Sequence, residues 1–141
     1  MSKKILWLRI SYWMGALVDV FAALQMIFPN LFAMSYKLAD FSPGLDWYYD
    51  SGRGASVMFG WSCLLLWADR KPMERKGVLL ITIFPVLPGL AISGLFAVQS
   101  HFLVVSAMVP TWTAQGLLAI LFGFSYINAR DLGPRWWPQR A

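Results

Sequence analysis

A single cysteine and a single histidine, Cys63 and His101, are all that this chain has in the way of thiol or imidazole ligands. No disulfide can close within the chain. A zinc site needs three or four clustered donors and a haem inside a bilayer needs an axial ligand there, so the sequence supports neither a metal nor any other cofactor. Cys63 lies within an apolar run and reads as a small packing residue, and His101 reads as a solvated turn residue. Charge is equally scarce. Only 13% of the 141 residues are charged and 58% are hydrophobic, against about 25% charged in an average soluble domain, which excludes a soluble globule. Gly52-Arg53-Gly54 lacks the spacing and the lysine of a phosphate loop. No internal repeat, low-complexity segment or second domain is visible, and no catalytic constellation either, so catalysis by this chain alone is not expected.

What the chain has is long apolar runs: Ile10 to Met34, Gly54 to Ala68, Gly77 to Val98 and Phe102 to Ile127. A membrane-spanning helix takes about 17 to 25 mostly apolar residues. Three runs meet that outright, and the second does so if Ser51, Gly52 and Arg53 begin its helix, with the arginine reaching back to the interface. Backbone amides in lipid must be satisfied within their own segment, so the spans are read as helices over 10–34, 51–68, 77–98 and 102–127. The expected fold is an all-α, four-helix, up-and-down membrane bundle occupying 1–141 as one domain. The basic start precedes an apolar stretch too long for a signal peptide, and the first span is expected to remain in the mature protein.

Charge orients the bundle. Lys3, Lys4 and Arg9, then Arg70, Lys71, Arg75 and Lys76, then Arg130, Arg135 and Arg140 fall on one side, and only Lys37 and Arg53 on the other. The positive-inside rule places both termini in the cytoplasm and the chain in the cytoplasmic, or inner, membrane. The net charge of +5 is therefore a topology signal and does not indicate a nucleic-acid partner. Trp7, Trp13, Trp67, Trp136 and Trp137 suit the inner interface, and Trp47, Tyr48 and Tyr49 the outer one. Trp61 and Trp112 fall inside their spans, as packing residues or ligand contacts. The compact turn from Asp69 to Lys76 reads as solvated, with its cations near anionic lipid headgroups.

Asp19 is the one acidic residue deep inside an apolar run. Tyr12, Gly15, Ala16, Ala22, Ala23 and Met26 share its helical face, a stripe of small residues that turns the carboxylate toward the bundle. Counting along the spans places Ser62, Cys63, Pro88 and Gln115 at comparable depth, a polar layer in which Gln115 and Ser62 can donate to Asp19, with Tyr12 below on the same helix. An unpaired ionised carboxylate there is too costly, so Asp19 is expected to be protonated or fully hydrogen-bonded. Three roles fit such a layer: glue between helices, a site for a small amphipathic molecule such as a quinone or a lipid headgroup, or a proton-coupled transport site, the last disfavoured because the spans offer no second titratable group.

Pro85, Pro88 and Gly89 in the third span and Pro110 in the fourth predict kinks that open a gap. Ser56 with Gly60, Gly89 with Ser93 and Ala119 with Gly123 are small pairs four apart, expected to mark close helix contacts or a homo-oligomer. The connection from Ser35 to Arg53 alternates Asp40, Asp46 and Asp50 with aromatic residues around Pro43-Gly44. It is either an amphipathic connector at the headgroups or the mouth of an outward-facing pocket. In the second case Arg53, set against the helix dipole, pairs with Asp50 or holds an anionic group.

The first span ending in Phe28-Pro29, the external aromatic loop, Gly52-Arg53-Gly54-Ala55 at the start of the second span and the basic turn before the third together resemble the small four-helix proteins of the DoxX-like superfamily. The resemblance covers nearly the whole chain and implies a four-helix membrane fold, some relatives being associated with quinone-linked oxidoreductase complexes. It carries over no catalytic residue. The expected function is binding of a small hydrophobic or amphipathic ligand of the lipid or quinone class within the bundle, by Asp19, Gln115, Tyr12, Ser62, Arg53, Trp61 and Trp112. The alternatives are a non-catalytic small subunit of a membrane complex and a proton-coupled transporter using Asp19.

Overall fold

The structure, a computed structural model, describes residues 3–130, so Trp136, Trp137, Arg135 and Arg140 lie outside the described residues. Five helices make up the described chain: α1 (Lys3–Ile27), α2 (Pro29–Tyr36), α3 (Leu45–Asp69), α4 (Gly77–Gln99) and α5 (Val105–Asn128). Helices α1, α4 and α5 are long and apolar enough to cross a membrane. Helix α3 is as long as α1, but Asp46, Asp50 and Arg53 sit in its first third.

The boundaries correct the expected spans, and proline accounts for one correction. The first run breaks at Phe28, which is extended at φ −107° and ψ 101°. A residue before proline is pushed out of the helical region, while proline itself fits the first turn of the next helix, so Pro29 ends α1 and opens α2. Helix α2 closes at Lys37, whose left-handed φ of 55° lets its N–H reach Ala33 and Met34 carbonyls. Helix α3 begins at Leu45, ahead of the expected start at Ser51, so the long connection before it shrinks to 37–44, and Asp46, Asp50 and Arg53 ride on helical turns.

The side-chain distribution is that of a bundle in an apolar solvent. Leu17, Phe84, Phe96, Leu117, Ile120 and Ile127 face outward, while Ser11, Ala16, Ala23, Ala55, Ser62, Thr82 and Ser125 are buried. Lipid removes the hydrophobic drive between helices, so small residues that allow close approach, together with hydrogen bonds, hold the interior. Helix α1 lies along α3 over most of its length, with α5 against its other flank. At their meeting point is Gly15, where a Cβ would stand 2.8 Å from Phe122 Cζ and 2.9 Å from Leu65 Cδ1. Tyr12, Phe122, Leu8, Leu65 and Leu79 fill the core around it.

Hydrogen bonds fasten one end of the bundle. Ser11 and Ser125, both fully buried, lie 2.7 Å apart, and each hydroxyl also reaches the Trp7 carbonyl, at 3.0 and 3.2 Å. Each serine has one proton, so one hydroxyl donates to the other and the second donates to the Trp7 carbonyl, a chain that joins α1 to α5 in either order. Asp69 accepts from Arg9 Nε at 2.9 Å, Arg9 Nη2 at 3.1 Å and Trp13 Nε1 at 3.3 Å. The basic turn is tied down more than a solvated turn would be. Tyr12 donates to the Pro72 carbonyl, Arg75 stacks over Trp67 and donates to its carbonyl, and Lys76 donates to the Ala129 carbonyl at the end of α5.

The prolines act differently in the two helices that carry them. Helix α4 takes a π-helical turn at Thr82–Val86, with the Leu87 N–H on the Thr82 carbonyl, as a local answer to the hydrogen-bond donors that Pro85 and Pro88 lack. Helix α5 runs through Pro110 as one element. Two packing expectations are corrected. Cys63 is exposed on the outer face of α3 and does not pack inside. Gly60, Gly89 and Gly123 have open space where a Cβ would be, so their small pairs mark no close contact within this chain.

Gly15→Ala is expected to destabilise the bundle by about 1 to 3 kcal/mol through overpacking against Phe122 and Leu65. Gly60→Ala, with nothing within 4 Å of the added methyl, should not destabilise it. Reversible unfolding in mixed micelles measures both.

Candidate functional site

The side chains that could bind something lie around the gap left by that packing. The backbones of α1 and α4 stay apart while α1 and α3 close on each other. Between α1, α4 and α5, and below α2, is a cavity of about 600 Å³. Val18, Asp19, Ala22, Gln25 and Met26 line it from α1, Phe32, Ser35 and Tyr36 from α2, and Met58 from α3. Helix α4 contributes Leu87, Leu90, Ser93, Gly94 and Ala97, and α5 contributes Ala107, Met108, Thr111, Ala114, Gln115 and Leu118.

Helix α1 places Asp19 about 24 Å along from Lys3 and about 12 Å short of Ile27, at about 1.5 Å rise per residue. Asp19 therefore stands about 6 Å past the midpoint of its helix, on the Ile27 side. Its Oδ2 is buried and has no hydrogen-bond partner, and the same is true of Gln115 Oε1 on α5. An unsatisfied buried acceptor costs about 1 to 3 kcal/mol, more if charged, so two of them on one cavity need an explanation. No lysine, arginine or histidine is among the lining residues.

Only part of the expected layer assembles here. Asp19 and Gln115 share the cavity without bonding to each other. Ser62 is buried but turns to backbone, donating to the Met58 carbonyl at 2.9 Å with the Ala16 carbonyl at 3.3 Å. Tyr12 points to the opposite end of the bundle, where its hydroxyl meets the Pro72 carbonyl at 3.2 Å. Trp61 packs against the core and donates to Thr82 Oγ1 at 3.2 Å, joining α3 to α4. Trp112 lines a separate groove of about 440 Å³ between α4 and α5, where Gln115 also stands. Its Nε1 is buried without a partner and would be 3.0 Å from a Cβ on Gly94. Arg53 does not line the cavity. It is exposed, 3.9 Å from Asp50, with its guanidinium 5.4 Å from the Tyr49 ring.

Several lining residues went unrecognised in the sequence. Thr111 lies one turn before Gln115 on the same face of α5 and was readable by that spacing. Gln25 gave a weaker signal, a polar side chain near the end of the first run. Ser35, Tyr36 and Ser93 reach the cavity only through the placement of α2 and α4. Ser35 and Ser93 satisfy their hydroxyls on their own helices, through the Leu31 and Gly89 carbonyls.

The upper end of the cavity is aromatic. Phe32 stands 4.7 Å from Tyr36, 5.4 Å from Phe41, 5.9 Å from Trp47 and 6.4 Å from Phe102, ring centre to ring centre. These separations are those of favourable ring pairs. Phe32, Tyr36 and Phe102 also line the cavity. Among the described residues no group of three or more His, Cys, Asp or Glu side chains could hold a metal ion.

No protein family, curated protein or solved structure matches this chain.

Asp19 joins no two helices by a hydrogen bond, which sets up a test between glue and site. Asp19→Leu should raise the unfolding free energy of the ligand-free protein, by about 1 to 3 kcal/mol, because it removes an unsatisfied acceptor beside space that can take the larger side chain. A helix-joining carboxylate would give the opposite sign in the same unfolding titration.

Proposed function

We propose that this chain is a multi-pass protein of the cytoplasmic membrane that binds a small amphipathic molecule, of the lipid or quinone class, in the cavity beside Asp19. The observation that carries this reading is the pairing of unpartnered buried acceptors, Asp19 Oδ2 and Gln115 Oε1, with an otherwise apolar cavity under aromatic rings. Its volume of about 600 Å³ falls in the range of small-molecule sites, about 300 to 1,000 Å³, which are mostly apolar with a few placed polar groups.

In this reading α3 is the fourth span, its charged first turns standing in the outer headgroup region. The contacts of Arg9 with Asp69 and of Lys76 with the Ala129 carbonyl gather the start of α1, the end of α3, the start of α4 and the end of α5 at one end of the bundle. That gathering supports an up-and-down order with the basic end in the cytoplasm. The likeness to DoxX-like proteins agrees with such a fold.

A second reading, a small subunit of a membrane complex or a homo-oligomer, is favoured by one observation. Gly52, Ser56, Gly60 and Cys63 recur at helical spacing on the exposed side of α3, with nothing within 4 Å of where a Cβ would stand on Gly52 or Gly60. Such a surface admits another helix closely. Proton-coupled transport has less support, since Tyr36 is the one other titratable side chain among the cavity's lining residues.

Native mass spectrometry of protein extracted from its own membranes should show a bound small molecule. Ala22→Trp, which pushes an indole into the cavity, should lower its occupancy at least fivefold while leaving helical circular dichroism unchanged. A wild-type protein without ligand, or occupancy indifferent to Ala22→Trp, would count against the reading.

A further inference from the structure

The cavity's polar atoms narrow the chemistry of what it holds, on the reading that it is a ligand site. Both unpartnered atoms, Asp19 Oδ2 and Gln115 Oε1, are acceptors. An oxidised quinone, an ester or a carboxylate brings acceptors of its own, so it pairs with Asp19 only while that carboxyl is protonated and leaves Gln115 Oε1 unsatisfied. A head group that donates satisfies them. The charge count goes further. From α1 the titratable or charged group facing the cavity is Asp19 itself, from α2 it is Tyr36, and α3, α4 and α5 contribute none. A half-buried carboxylate that faces no cationic side chain is compensated by a proton or by a cation that enters from outside. The walls suit a cation with an apolar body, since Phe21, Phe32, Tyr36 and Phe102 present rings to the same space, and ring faces attract ammonium groups.

We infer that the cavity takes a lipophilic ammonium ion, an amine with a single apolar tail. Its N–H groups are held by Asp19 Oδ2 and Gln115 Oε1, and its tail lies along the apolar walls toward Phe32 and Phe102. When the Asp19 carboxyl is protonated, the incoming ammonium displaces that proton to solvent, so one positive charge enters the site and one leaves. Proton and amine compete for one carboxylate, so affinity rises with pH while the amine stays charged.

The test uses the full chain in nanodiscs of zwitterionic lipid, with equilibrium dialysis read as binding above protein-free nanodiscs. Four probes share one tail: dodecylamine, dodecyltrimethylammonium, dodecanol and dodecanoate. Dodecylamine should bind tightest, since it alone combines charge with N–H donors, and dodecanoate should not bind. Dodecylamine affinity should be greater at about pH 8 than at about pH 5, a window in which an alkylamine, with a pKa near the lysine value of about 10.4, stays protonated. Asp19→Asn, nearly isosteric, should weaken dodecylamine at least tenfold and abolish its pH dependence. Gln115→Leu should weaken it several-fold and keep the pH dependence, because the carboxylate remains. If dodecanol or dodecanoate binds as well as the amine, or if Asp19→Asn binds normally, the cation assignment is overturned while the cavity stands as an amphipathic site. If none of the four binds and the protein extracted from native membranes carries no ligand, the site reading falls with it.

Discussion

Close approach of α1 to α3 at Gly15 is the constraint on which the remaining structure depends. In lipid, burying leucine against leucine gains little over leaving it among acyl chains, so association relies on van der Waals contact between closely spaced backbones and on hydrogen bonds. Gly15 gives Phe122 and Leu65 the space a Cβ would occupy. Phe122 comes from α5, so one missing methyl sets the distance among three helices. The same closeness aligns Ser62 with the Ala16 carbonyl and Ser11 with Ser125. Many large apolar side chains go outward, so phenylalanines and isoleucines cover much of the surface, while buried serines and alanines let the helices close around a core of Leu8, Tyr12, Leu65, Leu79 and Phe122.

How legible this was depended on whether a feature is set within one helix or between helices. The helical fold and the inward turn of Asp19 follow from run length and from the small residues that share its face. Pro29 was visible as well, but the first run was read through it as a single span, although proline restricts the residue before it whatever the surroundings. The neighbours of Asp19 were misassigned because depth along a span fixes only one coordinate. Ser62 and Tyr12 have suitable depth or facing, yet a carbonyl across the α1–α3 seam and a carbonyl in the basic turn are nearer to their hydroxyls. Gln115, set beside Asp19 by the same count of depth, does share a cavity with it, without a hydrogen bond between them. The Ser11–Ser125 chain went unread, since it joins residues 114 positions apart and serine at a helix interior more often bonds its own backbone.

Asp19 runs against the logic of the interior around it. Ser11, Ser62, Thr82 and Ser125 are small polar groups that each find a partner, and they contribute to holding helices together. Asp19 is larger, potentially charged, and without a partner. A sequence selected for stability alone would place a leucine or alanine there. The carboxylate makes sense as a group whose partner arrives from outside, and the cavity in front of it gives that partner room.

The two ends of the bundle differ in a way that bears on how a ligand would enter. Among the described residues, the side-chain hydrogen bonds that join separate helices and turns lie at the basic end or in the middle: Arg9 and Trp13 on Asp69, Ser11 on Ser125, Tyr12 on Pro72, Ser62 on Ala16, Trp61 on Thr82 and Lys76 on Ala129. At the other end α2 and the segment 37–44 are held over the cavity by ring contacts centred on Phe32. Rings slide past one another at a cost spread over many weak contacts, whereas parting a hydrogen bond in lipid leaves a polar group stranded. A ligand entering from the aromatic end therefore separates rings that can close again around its tail, while the bonded end keeps the helices in register. Asp19 lines the same cavity as Phe32 and Phe102 and stands past the midpoint of its helix on the side away from the bonded end.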